Sequence, residues 1–237
     1  YALCKGTCGD LELVFCSNTY TTPTSNLVIG EKYYVRVYKS TNVATQSATF
    51  DICIISPPSN DECINAITAP VNPEQFCVEA NNVSGNTVGS TASLPILDPA
   101  LTGAGCGQSN RDVWYKFVAT ATSHMISFNN IVATPNTATN VRLNHSVFSG
   151  TCDNLTKLFC FTTEISMVTG LTPGDTYYVR VYTASNNNEQ SISFDMCILS
   201  PPSNDECVNS KPVIPNSGQV CAPVNMVKGS TLVASPS

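Results

Sequence analysis

Hydrophobic and polar residues alternate along several short stretches of the chain. In Tyr177–Tyr182, YYVRVY, residues Tyr177, Val179 and Val181 fall on one side and Tyr178, Arg180 and Tyr182 on the other. A period of two predicts a half-buried strand. Asp112 to Thr120, DVWYKFVAT, alternates in the same way through Val113, Tyr115, Phe117 and Ala119. It predicts the central strand of its domain. SATFDICII at 47–55 sets Phe50, Ile52 and Ile54 on one face. Further strands are expected within 82–90, 124–130 and 141–148. Residues 1–20 and 147–160 each read as a strand end, a Gly turn and a second strand. Pro173-Gly174 signals a turn before Tyr177. Asp61 to Val71 opens a domain with one helical turn or an edge strand. Thr91 to Asn110, carrying Pro95, Pro99, Gly103, Gly105 and Gly107, reads as a loop. No stretch shows the helical period. About eight strands per domain predict an all-β fold, a jelly-roll-like β-sandwich.

The pattern occurs twice. Tyr33 to Cys63 returns as Tyr177 to Cys207, at an offset of 144 residues. Cys8, Cys16, Cys53, Cys63 and Cys77 map onto Cys152, Cys160, Cys197, Cys207 and Cys221 without slippage. A fixed cysteine register over so long a period marks tandem domains, and 144 residues is a common domain size. The expected frame has three parts. Residues 1–56 are the C-terminal part of one unit, 57–200 a complete unit, and 201–237 the N-terminal part of the next. The chain then reads as a window onto a longer array. Pro57-Pro58 and Pro201-Pro202 read as short, stiff joints between units, since paired prolines favour extended backbone and block sheet pairing. The array is expected to be a semi-rigid rod.

Charge and composition narrow the function classes. Only 12% of residues are charged and the formal net charge is −6, which argues against nucleic acid, whose binding needs a clustered basic face. No apolar run approaches the roughly 18 residues of a membrane helix. Twelve cysteines are present. An even six per complete unit, at repeated spacings, predicts a disulfide framework and an oxidising compartment. Zinc is the rival, but its sites want closely spaced cysteine pairs. Only Cys4 and Cys8 are that close, and Phe148 stands at the position equivalent to Cys4. The framework comprises Cys8, Cys16, Cys53, Cys63, Cys77, Cys106, Cys152, Cys160, Cys197, Cys207 and Cys221. Invariance between copies suggests Cys152–Cys160 and Cys8–Cys16, provided that the intervening segment bends back. The other four cysteines of the complete unit allow three pairings, of which Cys77–Cys106 with Cys63–Cys197 is favoured. The alternative, Cys53–Cys63 with Cys197–Cys207, would staple each Pro-Pro joint.

The order NDEC, DVWYKF, HSVFSGTC, LFC, GLTPGDTYYVRVY and FDMCI resembles repeats in secreted and surface proteins of Bacteroidota. It is similar in pattern to pre-peptidase C-terminal sandwich domains. Leu171 to Tyr177 also looks like the tyrosine corner of fibronectin type III domains. The first copy keeps Leu27, Gly30 and Tyr33 of that corner but has Ile29 in place of the proline. The resemblance implies an extracellular, repetitive and non-catalytic module, found in large adhesins or appended to secreted enzymes.

Candidate chemistry is sparse. Of the two histidines, His145 maps onto Tyr1 and His124 has no equivalent in the chain. No Gly-x-Ser-x-Gly elbow occurs, so no catalytic residue is expected. Asp61-Glu62 and Asp205-Glu206 recur beside a cysteine at each joint, and Asp112 precedes the central strand. Such acids can hold Ca²⁺ with carbonyl oxygens and stiffen an array, or can serve caps and turns. Ca²⁺ is the one cofactor the pattern admits. Trp114, Tyr38 and Tyr182, with Tyr34 and Tyr178, could form an aromatic platform for sugars, or pack within and across strands. The expected role is a structural or adhesive segment of an extracellular fibre or stalk. Its partners would be neighbouring repeat units and like chains, with surface glycans or proteins. The alternative is a carbohydrate- or protein-binding accessory module of a secreted hydrolase.

Overall fold

A computed structural model describes residues 1–19, 22, 24, 26–39, 47–73, 76–93, 106, 111–134, 143–183, 190–218, 220, 221, 223–227 and 229–234. The loop expected over 91–110 lies outside the described residues apart from 91–93 and Cys106. The chain divides into two compact units, Tyr1–Ser56 and Pro57–Ser237.

The first unit is a three-stranded antiparallel sheet of β1 (Ala2–Thr7), β2 (Asp10–Cys16) and β3 (Tyr33–Arg36), in the order β2-β1-β3. Cys8-Gly9 turn β1 into β2, and Gly6 near the end of β1 takes φ +104°, where a Cβ would strike Asp10 O. The strand expected over 47–55 does not form; these residues carry no strand and are all exposed.

The second unit is a sandwich of two sheets. One has the order β10-β9-β12-β7-β4, with β10 Asn154–Phe161, β9 Leu143–Thr151, β12 Thr176–Thr183, β7 Asp112–Val118 and β4 Ile67–Thr68. The other has the order β11-β8-β13-β5, with β11 Ile165–Thr169, β8 Ser123–Thr134, β13 Ser191–Leu199 and β5 Val71–Asn72. Strand β6 (Val83–Asn86) also pairs with β13. The alternating residues meet between the sheets: Val113, Tyr115 and Phe117 of β7, Val179 and Val181 of β12, and Phe194, Met196 and Ile198 of β13 share one buried cluster. The all-β sandwich expected from period-two patterning is the observed fold. The opening segment forms a single 3₁₀ turn at Cys63–Asn65 followed by the short β4 and β5. Gly85 lies so close to Tyr115 and Phe194 that a Cβ there would collide with the Tyr115 hydroxyl and the Phe194 ring.

The tail, residues 201–237, contributes 3₁₀ turns at Cys207–Asn209 and Pro223–Asn225. Val233 is buried against Met125, Cys197, Leu199 and Cys77.

The disulfides require a correction. The bonds are Cys63–Cys152, Cys77–Cys197 and Cys106–Cys160, with Cα separations of 5.6, 6.0 and 6.2 Å. None of the suggested pairings forms. Cys152–Cys160 fails because Cys152 sits in the turn before β10 and Cys160 near the far end of that strand; six or seven extended residues span about 20 Å, far beyond disulfide reach. Each observed bond instead ties the first part of the unit to the last, across 54 to 120 residues of sequence. In the chain-entropy account, loops of that size each stabilise the fold by on the order of 4–5 kcal/mol. Cys8, Cys16, Cys53, Cys207 and Cys221, all expected in the framework, are exposed free thiols, and Cys4 is a buried one. Neither Cys8–Cys16 nor either joint staple is present.

Candidate ligand-binding site

The recurring Ser-Asn-Asp-Glu-Cys segment is built into the sandwich. Asn60, a turn residue, bonds the backbone of β7 at Trp114: Trp114 N donates to Asn60 O at 2.8 Å and Asn60 Nδ2 donates to Trp114 O at 2.9 Å. Asp61 accepts from Thr91 N and Thr91 Oγ1 at 2.7 and 2.8 Å. Asp112 is fully buried, pairs with the buried Arg180, and accepts from Ser93 N and Ser93 Oγ. Trp114 Nε1 donates to the same Ser93 Oγ at 2.7 Å, and the Arg180 guanidinium lies 5.5 Å over the Trp114 ring. The carboxylates of Asp61 and Asp112 are therefore directed at protein donors, which is the cap and turn role rather than a calcium cage. Glu62 is exposed. Desolvation, and then the charges of Asp61 and Asp112, push its carboxyl above the ordinary value. Asp205 and Glu206 sit in an equivalent turn: Asp205 N donates to Pro202 O at 3.0 Å, as Asp61 N does to Pro58 O at 3.1 Å. Among the described residues no group of three His, Cys, Asp or Glu could hold a metal ion.

Two members of the aromatic platform are corrected as well. Trp114 is 1% exposed and Tyr182 is wholly buried, so neither can stack on a sugar in solvent. Trp114 packs against Phe148, and the Tyr182 hydroxyl meets Ser146 and Cys160. Alternation placed them on the face opposite the inter-sheet core, but at Trp114 the disulfide Cys63–Cys152, Ala66 and Phe148 cover that face. Tyr38 is exposed, beside Arg36 and the Cys16 thiol.

Both histidines are structural. His124 Nδ1 meets Leu199 O, and its Nε2 accepts from Thr120 N and Ala121 N. Its pKa is lowered by burial. His145 lies between Phe128 and Phe161, with Nε2 on Ser166 Oγ, and burial pushes its pKa down to about 3.

An open concavity lies elsewhere. Strand β9 pairs with β12 only as far as Phe148↔Tyr178, yet continues to Thr151 against β10. Where β9 parts from β12 a cleft of about 310 Å³ opens, lined by Ser149, Gly150, Thr151, Asp175, Thr176 and Tyr177. Gly150, at φ +98°, lets the wall turn where a Cβ would strike Asn154 O. The opposite wall, Asp175 to Tyr177, follows the Pro173-Gly174 turn, which is clamped by Gly174 N→Ala119 O at 2.8 Å and Ala119 N→Asp175 O at 2.9 Å. Tyr177 completes the corner by accepting from Thr172 N at 2.9 Å. The cleft is thus lined by one carboxylate residue and three hydroxyl residues on clamped backbone, while Tyr177, 5% exposed, packs into the inter-sheet core. None of its polar residues is conspicuous in the sequence alone. The only signal is that the glycine turns flanking them occur in both copies, as Gly6 and Gly30.

No curated protein matches the chain. The galactose-binding-domain-like family associated with the type IX secretion system matches residues 59–196, more than half of the chain and nearly all of the sandwich. Such domains are typically non-catalytic, and the family together with the three disulfides points to a secreted or cell-surface protein of Bacteroidota type. No helix among the described residues is long and apolar enough to cross a membrane. The chain belongs to the galactose-binding-domain-like family associated with type IX secretion.

Proposed function

We propose that the protein is a non-catalytic glycan-binding module exported to the cell exterior, and that the cleft between the ends of β9 and β12 is its sugar site. The observation that carries this reading is the cleft's chemistry: Asp175 with the hydroxyls of Ser149, Thr151 and Thr176 beside Tyr177. A neutral polyol is bound by such a set, the carboxylate accepting from paired sugar hydroxyls. A clamped backbone lowers the ordering cost of weak binding. Titration of galactose-containing oligosaccharides into the full chain, followed by calorimetry, tests it. Asp175→Ala and Thr176→Val should each weaken binding at least tenfold with the melting temperature unchanged. Absence of binding to any glycan on an array, or binding indifferent to both variants, would overturn the reading.

A second reading, a structural segment of a fibre or stalk, is favoured by the cysteine register held across 144 residues. Electron microscopy of the full-length gene product would decide for it by showing regularly beaded rods.

A further inference from the structure

Two connections cross between the sheets of the sandwich side by side. Residues 119–122 join β7 to β8, and residues 170–175 join β11 to β12. Three backbone bonds tie the second to the first: Leu171 N donates to Thr122 O at 2.9 Å, Gly174 N to Ala119 O at 2.8 Å, and Ala119 N to Asp175 O at 2.9 Å. The 170–175 connection runs directly into the cleft wall, Asp175 to Tyr177. That wall is therefore only as well placed as the 119–122 turn that holds it.

The turn contains no helix or strand residue. It is organised around one side chain. His124 Nε2 accepts from both Thr120 N, at 3.0 Å, and Ala121 N, at 3.3 Å. Two N–H donors on one ring nitrogen require a lone pair there, so the ring is neutral with its proton on Nδ1, which donates to Leu199 O at 3.2 Å. The ring is wholly buried and stands edge-on to Phe117 at 5.7 Å, and Phe117 packs in turn on Tyr177 at 5.8 Å. His124 thus reaches the cleft by a backbone route and an aromatic one. An apolar side chain of similar volume would fill the same space but would offer the turn no acceptor.

We infer that His124 is a positioning residue for the cleft: its neutral ring fixes the 119–122 turn in the shape that sets Asp175 and Thr176 opposite Ser149 and Thr151, and a proton on Nε2 releases it. The inference rests on the reading of the cleft as the sugar site. An imidazolium has no lone pair, so protonation removes both accepted bonds together and turns a third N–H against the two donors. The elements around the ring bring it Phe117 from β7, Leu199 from β13 and, through the β8–β11 pairing, Val168, none of them titratable. The titratable groups on the clamped connection and the strand after it are Asp175 and Tyr177, and the Tyr177 hydroxyl is engaged by Thr172 N. Burial lowers the His124 pKa, so the proton is taken up below the ordinary value of about 6.5. Sugar affinity should then fall as the pH falls.

Calorimetric titration of lactose into the full chain at pH 7 and pH 5, with amide exchange corrected for intrinsic rates, tests this. Ordinary carboxylates stay largely ionised over that range. The parent should bind at least threefold more weakly at pH 5 than at pH 7. His124→Leu should weaken binding at least tenfold at pH 7 and speed exchange of the Ala119 and Gly174 amides at least tenfold. In His124→Gln the side-chain oxygen can accept from the turn while its NH₂ donates to Leu199 O. That variant should recover most of the affinity and the protection that the leucine variant loses, and its affinity should no longer depend on pH. The inference is overturned if the glutamine variant keeps the parent's pH profile, if it does no better than the leucine variant, or if the leucine variant protects Ala119 and Gly174 as the parent does. Should the leucine variant not fold, the parent and the glutamine variant still decide between these outcomes. Failure of the parent to bind lactose would count against the sugar reading alone, and exchange at Ala119 and Gly174 at the two pH values would still decide whether His124 holds the wall.

Discussion

Residues 1–56 and 145–200 carry nearly the same pattern and end in different states. SATFDICII at 47–55 and SISFDMCIL at 191–199 share Phe, Asp, Cys and Ile at equivalent positions. The second is the most heavily paired strand of its sheet, joined to β5, β6 and β8. The first is exposed and not a strand. By contrast β1, β2 and β3 form in the first unit with the same register as β9, β10 and β12. The difference lies in contact distance along the chain. β1 and β2 meet through a two-residue reversal, and β3 joins them within the same 36 residues. The equivalent of β13 needs partners drawn from a segment that residues 1–56 do not contain. Strand propensity alone does not hold an isolated strand in water, because its backbone groups are satisfied equally well by solvent.

Removing a staple should separate the two regions most. Cys77→Ser with Cys197→Ser should lower the stability of the sandwich by about 4–5 kcal/mol, the loop-closure effect of a bond across 120 residues. Cys53→Ser, at the position equivalent to Cys197, should leave urea unfolding of the sandwich unchanged. Equal losses from both would show that the first unit shares the second's framework.

The buried ion pair comes next. Arg180→Ala leaves Asp112 charged and buried without its cation and should cost about 3–5 kcal/mol. Arg36→Ala removes an exposed side chain and should fall within about 0.5 kcal/mol of the parent. Denaturant midpoints at constant slope measure both. A large Arg36 effect would mean that its carboxylate partner is already present.

A smaller effect separates His145 from its equivalent, Tyr1. His145 is held neutral by burial, with a folded pKa of about 3 against about 6.5 when unfolded. Between those values the unfolded state binds the extra proton, so stability falls as pH falls below about 6.5. The slope is about 1.4 kcal/mol per pH unit for this one group, so pH 5.5 should cost roughly 1 kcal/mol relative to pH 7. His124, also lowered by burial, acts in the same direction. His145→Gln should flatten the pH dependence of the urea midpoint over this range. A midpoint that rises on acidification would contradict the buried neutral ring.

Fold class, the position of most strands of the sandwich and the glycine turns between them were legible in the sequence. These rest on period-two alternation and glycine turns, which act over a few residues. The tyrosine corner was legible even where Ile29 replaces proline, since the Tyr33 hydroxyl needs only the backbone N–H of Val28. The framework status of the six cysteines in the complete unit was legible from their number and spacing. Which cysteine meets which was decided by tertiary structure, because sheet order brings Cys63, Cys77 and Cys106 beside strands that lie 54 to 120 residues away. The same holds for Trp114 and Tyr182: alternation says which face they share but not that the face is buried. The cleft at Asp175 was invisible for a related reason. It exists only where β9 leaves β12, and no local pattern marks the residue at which two strands distant in sequence part.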